Sequence, residues 1–191
     1  MLCAILLAGG ESRRFGSDKL TAHLPDGRMV ALAAAEALAG AAEARVAVLR
    51  PDREELAVLL AARGWRVVAT AHAERGMGAS LAAGVRAAAD AAGWLIGLAD
   101  MPLLQPATAQ AVAAALRAGA PAAAPFYRGR RGHPVGFAAA LGPQLLALDG
   151  DVGARRILEA LDGRLACIDV DDPGVLIDID RPQDLARLGQ P

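Results

Sequence analysis

The chain is poor in aromatic residues and in lysine, and both shortages constrain what it can be. Aromatic residues make up only 3% of its 191 residues, although 54% are hydrophobic. Alanine, leucine and valine must therefore fill the interior. Among 20 basic residues there is a single lysine, Lys19. A compact ammonium on a flexible stem can follow a moving phosphoryl group, which a planar guanidinium cannot do. Lys19 is thus a candidate functional residue, the alternative being an exposed lysine without a role.

Other absences narrow the class of protein. No apolar stretch reaches the ~20 residues of a membrane span, and no basic region precedes the first apolar run as in a secretory signal. The net charge of −1 argues against nucleic acid or an anionic membrane surface as a partner. Cys3 and Cys167 lie in strand-like segments without metal-ligand spacing, so we expect reduced core residues rather than a disulfide. We expect a cytoplasmic protein with one domain, residues 1–191.

Strand-like and helix-like segments alternate along the chain. Strands are predicted at 3–7, 44–49, 65–69 and 94–98, with helices at 27–39, 52–63 (capped by Asp52), 79–92 and 106–119. Strands at 122–127 and 134–137, helices at 141–148 and 153–161, strands at 165–170 and 175–177 and a helix at 181–188 follow. This order predicts an α/β fold: a three-layer α/β/α sandwich around a Rossmann-like, mostly parallel sheet, with a small β excursion near residues 122–138.

The loop after the first strand carries the strongest chemical signal. Residues 8–19 read AGGESRRFGSDK. Its glycines let backbone N–H groups approach a ligand closely, and its arginines and lysine supply counter-charge for phosphate. Neither GxxxxGK[ST] nor GxGxxG occurs, which weakens an ordinary NTPase or an NAD-dependent enzyme. The sequence therefore predicts a nucleotide-phosphate site at the carboxyl end of the first strand.

Two further loops are expected beside that site, because ligands lie beyond the carboxyl ends of parallel strands. Gly76, Gly78 and Ser80 open a helix, where they could contact a base or ribose, or simply form the helix cap. Asp100 follows a buried strand directly, and it is a candidate Mg²⁺ ligand; the alternative is a carboxylate that caps the next turn.

Two segments nearer the C-terminus complete the candidate site. His133 follows an arginine-rich stretch that includes Arg131, and these residues could hold the anionic group of a second substrate or form a solvated hairpin. Asp178 and Asp180 alternate onto one side of a predicted strand end. They could complete a metal site with Asp100, or Asp180 could cap the last helix.

Together these residues resemble a known family. The loop from Leu7 to Lys19 is similar to the signature of the MobA-like nucleotidyltransferases. The segments GMGASL (76–81), DMP (100–102), GHPV (132–135), GDVGAR (150–155) and DID (178–180) resemble the molybdenum cofactor cytidylyltransferase (MocA-like) branch. The resemblance runs from Leu2 to Leu188.

The resemblance implies Mg²⁺-dependent nucleotidyl transfer, in which the terminal phosphate of molybdopterin attacks the α-phosphate of CTP and pyrophosphate leaves. Arg14 and Lys19 would hold the nucleotide phosphates, and Asp100, with Asp180 and Asp178, would bind the metal. His133 and Arg131 would contact the pterin substrate. The remaining nucleotide contacts implied by the motifs are Leu7, Ala8, Gly9, Gly10, Ser12, Gly76, Gly78 and Ser80.

Several alternatives remain open. Gly9 stands where the cytidylyl branch usually has alanine and the guanylyl branch has glycine, and Asp18-Lys19 also follows the guanylyl pattern, so GTP is the alternative nucleotide. Phe15 replaces the usual methionine, a change of shape that we expect to be tolerated. A sugar or polyol phosphate is an alternative acceptor. A chaperone that carries the cofactor to a molybdoenzyme is the non-enzyme alternative, and transient contact with a molybdoenzyme is expected in either case.

Overall fold

The helices and strands alternate as the hydrophobic pattern predicts. The computed structural model describes residues 1–10, 15, 18–71, 75–151 and 153–188. In chain order the elements are β1 (Leu2–Ala8), α1 (Val30–Ala39), β2 (Ala44–Leu49), α2 (Glu54–Ala61), β3 (Arg66–Ala69), α3 (Met77–Ala87), β4 (Gly93–Leu98), α4 (Pro106–Arg117), β5 (Ala122–Tyr127), β6 (Arg130–Arg131), β7 (Val135–Ala138), α5 (Gly142–Leu146), α6 (Arg155–Glu159), β8 (Leu165–Asp169) and α7 (Pro182–Leu188). Short 3₁₀ helices span Ala139–Leu141 and Pro173–Leu176.

The strands form one eight-stranded sheet with the order β3-β2-β1-β4-β7-β5, and both β6 and β8 pair with β5. β1 runs parallel to β2 and β4, and β2 runs parallel to β3. β7 is antiparallel to both β4 and β5. This confirms a mostly parallel sheet with a small excursion at 122–138. The chain winds outward in opposite directions from β1 and β4, so their carboxyl ends border the crevice where open sheets bind ligands.

Helices cover both faces of this sheet, which confirms the three-layer sandwich. β1 is buried on both sides: Leu2 and Leu6 belong to the core formed with α1, α2 and α4, whereas Ile5 and Leu7 belong to the core formed with α3, α5 and α6. Such two-sided burial is typical of a central parallel strand, whose sequence is a continuous apolar run.

Some local expectations are wrong, each for an identifiable reason. Helix α2 begins after Arg53 without a side-chain cap, so Asp52 is not its N-cap. The predicted strand at 175–177 is largely a 3₁₀ turn, in which the Asp172 carboxylate accepts a hydrogen bond from the Gly174 amide. Cys167 is exposed rather than in the core, because β8 alternates inward and outward residues.

Cys3 behaves as expected of a reduced core residue. It is a buried free thiol, and burial raises its pKa to about 11. Among the residues that the structure describes, no helix combines the length and apolarity needed to cross a membrane.

Candidate active site

Three carboxylates converge where β4 ends. Asp100, Asp178 and Asp180 each place an oxygen within 4.8 Å of the others. The convergence that the sequence predicts is therefore found. The segment carrying Asp178 and Asp180, however, is an irregular connection rather than a strand end.

Ile179 holds these carboxylates together. Its amide donates a 2.8 Å hydrogen bond to the Asp100 carbonyl. Its side chain is fully buried in a small core with Leu24 and Val30. The two neighbouring aspartates are thereby anchored close to Asp100. Sequence reasoning missed Ile179, although a lone apolar residue between two aspartates was a usable signal of an anchored acidic loop.

The Lys19 ammonium lies within the carboxylate cluster. Nζ donates to Asp100 Oδ2 at 2.7 Å and to Asp180 Oδ1 at 2.8 Å, and Lys19 is only 7% exposed. Burial by itself lowers the pKa of Lys19, but attraction to and hydrogen bonds with Asp100 and Asp180 outweigh it, so the pKa is raised. The only lysine of the chain thus occupies a buried, charge-paired position. That it holds nucleotide phosphates stays a prediction.

Asp180 was equally expected to cap the last helix, but in the structure the amides that precede α7 are bonded by Asp184, which lies in the first turn of that helix. The carboxylate of Asp184 accepts hydrogen bonds from the amides of Asp180 and Arg181 at 3.0 and 2.8 Å. The Asp180 carboxylate instead accepts from Lys19, which places it in the cluster.

Negative charge exceeds positive charge in the cluster formed by Asp100, Asp178, Asp180 and Lys19. Burial, with repulsion from Asp180 and Asp100, raises the pKa of Asp178, against a backbone hydrogen bond and the attraction of Lys19. Three carboxylates face one ammonium. Such crowded carboxylate oxygens are the hard ligands that Mg²⁺ and Mn²⁺ prefer, so the donor set fits a divalent cation.

The predicted phosphate loop is only partly described. Leu7, Ala8 and Gly9 are buried at the end of β1, whereas Gly10 is exposed and has no heavy atom within 4 Å of where a Cβ would stand. Arg14 and Ser12 lie outside the described residues. The Arg53 side chain, which sequence reasoning missed, hydrogen-bonds the carbonyls of Ala8 and Gly10.

The start of α3 is closed by the segment 149–151. The Gly78 amide donates to the Gly150 carbonyl at 2.8 Å, and the buried Ser80 hydroxyl donates to the Gly76 carbonyl at 3.1 Å. A Cβ on Gly76, where φ is +118°, would stand 2.6 Å from the Gly150 carbonyl oxygen. Arg75 and Asp149 form an ion pair across the same junction. The structure thus shows a packing role for these residues, and their contact with base or ribose stays a prediction.

A mostly apolar pocket of about 190 Å³ opens at the carboxyl ends of β1 and β4. Leu7 and Leu98 line it from the carboxyl ends of β1 and β4, and His133 and Arg131 line it from the excursion. Its other lining residues come from α3, β4, β7 and the α6 region: Met77, Leu81, Ile96, Val135, Phe137, Gly153, Ala154, Arg155 and Leu158. Met77 at the start of α3 and His133 therefore border one pocket, although their segments were predicted as separate subsites. The predicted residues Gly76, Gly78 and Ser80 are not among its described lining residues.

His133 is a neutral imidazole near neutral pH. Burial lowers its pKa to about 4; the Asp100 charge opposes this shift and Arg131 adds to it. Its amide donates to the Val175 carbonyl at 3.0 Å. A Cβ on the preceding residue, Gly132, would stand 2.3 Å from that carbonyl oxygen, so glycine allows this close approach. A neutral imidazole can both donate and accept a hydrogen bond at the pocket wall.

Fold, acidic cluster and crevice define a nucleotidyltransferase of the α/β class. The chain belongs to the MobA-like NTP transferase domain family, whose model matches residues 4–165. This confirms the resemblance found in the loop motifs.

Two curated relatives match nearly the whole chain. Purine catabolism protein PucB of Bacillus subtilis (strain 168) is 32% identical over 96% of this chain and 93% of PucB. Nicotine blue oxidoreductase of Paenarthrobacter nicotinovorans is 29% identical over 96% of this chain and 94% of the relative.

Solved structures share the fold over 98% of this chain. Rv0371c of Mycobacterium tuberculosis H37Rv superposes with a TM-score of 0.84 at 24% identity over 97% of its length. Its complex with manganese gives 0.77 at 23% over 97%. A nucleotidyl transferase from Methanothermobacter thermautotroptrophicus gives 0.82 at 25% over 95%. Molybdopterin-guanine dinucleotide biosynthesis protein A of Archaeoglobus fulgidus gives 0.69 at 21% over 96%.

Proposed function

We propose that the protein transfers CMP from CTP to the terminal phosphate of molybdopterin, with Mg²⁺ as the metal and pyrophosphate as the leaving group. GTP is the alternative nucleotide, in keeping with Gly9. The observation that carries the proposal is the cluster of Asp100, Asp178 and Asp180 around the Lys19 ammonium, beside the crevice between β1 and β4.

The reaction suits this set of residues. An acceptor phosphate oxygen forms a bond to the α-phosphorus while the bond to the bridging oxygen of the pyrophosphate breaks in line. Such a transfer needs no enzyme nucleophile; it needs alignment of the reactants and positive charge where negative charge develops. Lys19 supplies a fixed positive charge and orients two of the carboxylates through its hydrogen bonds.

The three carboxylates would hold the Mg²⁺ ion. Burial raises the pKa of Asp178, and repulsion from Asp180 and Asp100 adds to this shift. A bound divalent cation would relieve that repulsion. When bound, the ion would neutralise charge on the nucleotide phosphates. The manganese complex of a protein with the same fold supports a divalent cation here.

The apolar pocket supports a heterocyclic acceptor. Its mostly apolar side chains would bury a flat ring, and His133 and Arg131 offer a neutral imidazole and a cation at one wall. The Archaeoglobus fulgidus protein that shares this fold is named for molybdopterin-guanine dinucleotide biosynthesis, which is in keeping with a molybdopterin acceptor.

The two curated relatives are named differently: one for purine catabolism and the other as an oxidoreductase. A hydride or electron transfer has no need of three carboxylates gathered around a lysine. The cluster therefore favours nucleotidyl transfer over oxidation–reduction for this chain.

Product analysis tests the proposal. The protein is incubated with Mo-molybdopterin, Mg²⁺ and each of the four NTPs in turn, and products are resolved by mass spectrometry with a parallel pyrophosphate assay. A cytidylyl product formed with an equal amount of pyrophosphate supports the proposal, and a guanylyl product supports the GTP alternative. No transfer from any NTP contradicts both. Transfer to sugar phosphates in a pterin-free screen would identify a sugar phosphate, not molybdopterin, as the acceptor. Biological activity retained by Lys19→Ala and Asp100→Ala would favour a chaperone.

A further inference from the structure

A buried arginine side chain lies against the backbone at the end of β1. The Arg53 side chain is 8% exposed, and its two terminal nitrogens donate to the carbonyls of Ala8 and Gly10, each at 2.8 Å. Nη2 also lies 3.3 Å from the Asp18 carboxylate. By contrast, the arginine side chains paired with acids at Arg75 and Arg155 are 55% and 79% exposed.

The environment of Arg53 is costly for a cation unless its hydrogen bonds are matched. Burial lowers the pKa of Arg53, and attraction to Asp18 and Asp52 opposes the shift. A guanidinium can bond two carbonyls at once because its donors form a planar fork, a geometry that lysine cannot reproduce. The contacts with Ala8, Gly10 and Asp18 are therefore specific to arginine.

These contacts join two points that are ten residues apart in the chain. Ala8 ends β1, and Asp18 begins the turn that carries Lys19. The Asp18 carboxylate also accepts a 3.1 Å hydrogen bond from the Leu20 amide, which shapes that turn. Arg53 thus fixes the turn of Lys19 relative to the end of β1, and hence relative to β4 and Asp100.

The same contacts orient backbone donors. In a planar trans peptide the C=O and the following N–H point in opposite directions. Because the Ala8 carbonyl points to Arg53, the Gly9 N–H points to the opposite side of the chain. A backbone amide held in this way is the kind of donor that binds phosphate.

We infer that Arg53 is a positioning residue for the nucleoside triphosphate: it acts by aligning the Gly9–Gly10 backbone and the Lys19 turn. The inference rests on the proposed function, since it assumes a nucleotide at this loop. Arg53 belongs to neither the metal cluster nor the apolar pocket among the described residues. Its loss should therefore weaken the nucleotide and leave the acceptor largely unaffected.

The test compares Arg53→Gln and Arg53→Lys with Arg66→Gln in the full-length protein. Arg66 is the matched control because it also donates to a backbone carbonyl, that of Ala87 at 2.8 Å, but at the opposite end of the sheet. Calorimetry measures binding of CTP and of GTP with Mg²⁺, steady-state kinetics separates KM for the nucleotide from KM for the acceptor, and thermal unfolding monitors folding.

We expect Arg53→Gln to weaken NTP binding about tenfold or more, to raise the nucleotide KM by a similar factor and to leave the acceptor KM within about twofold. Nucleotide affinity of Arg53→Lys should fall between those of the wild type and Arg53→Gln. In a further variant, Arg53→Ala, millimolar guanidinium should partly restore NTP binding. Arg66→Gln should match the wild type.

Nucleotide affinity of Arg53→Gln within twofold of the wild type would overturn the inference. So would a lowered melting temperature and kcat with both KM values unchanged, which is the signature of a purely structural arginine. If the wild type itself bound no NTP, the proposed function would fail, and the inference would fail with it.

Discussion

At the scale of single residues, the structure explains why position 19 carries a lysine and not an arginine. Its ammonium fits between Asp100 and Asp180, at 2.7 and 2.8 Å, in a space that leaves Lys19 only 7% exposed. A guanidinium is wider and planar, and it cannot bring a single point charge between two carboxylates at these distances. The sequence indicated that Lys19 was special, but only the fold reveals its acidic partners.

Replacing Lys19 with arginine should therefore lower turnover by about tenfold or more, equivalent to about 1.4 kcal/mol or more in the barrier. The larger group displaces Asp100 or Asp180 from its position. Initial rates of nucleotidyl transfer, with circular dichroism to confirm folding, provide the measurement. Near-normal turnover would show that any buried cation serves at this position.

His133 should make the stability of the protein sensitive to acid. Its folded-state pKa is about 4, against an ordinary value of 6.5. Below pH 6.5 the unfolded chain therefore binds a proton that the folded chain does not. The neutral, buried His133 therefore contributes fully to the free energy of unfolding above pH 6.5. This contribution, at most roughly 3 kcal/mol, is lost as the pH falls toward 4.

Urea unfolding at pH 7.5 and pH 4.5 tests this dependence. The difference in unfolding free energy between the two pH values should be smaller in His133→Gln than in the wild type, while His23→Gln, at an exposed position, should resemble the wild type. An equal pH dependence in the wild type and His133→Gln would contradict the assignment.

At the scale of elements, the junction between α3 and the segment 149–151 depends on glycine. Gly76 has φ of +118°, and a Cβ there would meet Asp151 Oδ1 at 2.3 Å and the Gly150 carbonyl oxygen at 2.6 Å. The backbone conformation and the close approach both exclude a side chain. This junction borders the apolar pocket through Met77 and Gly153.

Gly76→Ala should destabilise the protein more than Gly119→Ala does. Gly119 also has a positive φ, of +97°, but has no atom within 4 Å of an added Cβ. Both variants carry backbone strain of about 1 kcal/mol; only the first also displaces the segment 149–151. Urea denaturation measures the difference, and equal losses would show that the close approach is relaxed at little cost.

Elements were largely predictable because the strands are buried and the helices are short and regularly spaced. The run Ala44–Leu49 was predicted with its observed bounds. The 3₁₀ turn at Pro173–Leu176 was not, because three apolar residues resemble a short strand and the decisive contact, Asp172 to Gly174, is local polar chemistry. The contact of Arg53 with Ala8 spans 45 residues, and nothing in the local sequence signals it.

At the scale of the whole molecule, the fold gathers the site from distant parts of the chain. Lys19 lies 81 residues from Asp100 and 161 from Asp180. The approach of Lys19 to Asp100 could be predicted, because loops at the carboxyl ends of parallel strands meet at one edge of the sheet. Asp180 was also expected there, but it lies on an irregular connection and not at the expected strand end. The anchoring by Ile179 could not be predicted, since it depends on a small core assembled by tertiary packing.

A cation that binds only the folded chain should stabilise the whole molecule. At one hundred times its dissociation constant, such a ligand adds about 2.7 kcal/mol. We expect Mn²⁺ and Mg²⁺ to raise the melting temperature of the wild type and to have little effect on Asp100→Asn. Asp26→Asn, which changes an exposed aspartate paired with Arg28, is the control and should respond as the wild type does. The same metal response in Asp100→Asn would remove this residue from the metal site.

The most direct test of the central claim is a crystal structure with Mn²⁺ and a non-hydrolysable CTP or GTP analogue, using anomalous scattering to locate the metal. We predict a manganese peak within coordination distance of a carboxylate oxygen of Asp100, with the triphosphate against the Gly9–Gly10 backbone and the turn of Lys19. A metal bound away from Asp100, Asp178 and Asp180, or a nucleotide bound away from the carboxyl ends of β1 and β4, would contradict it.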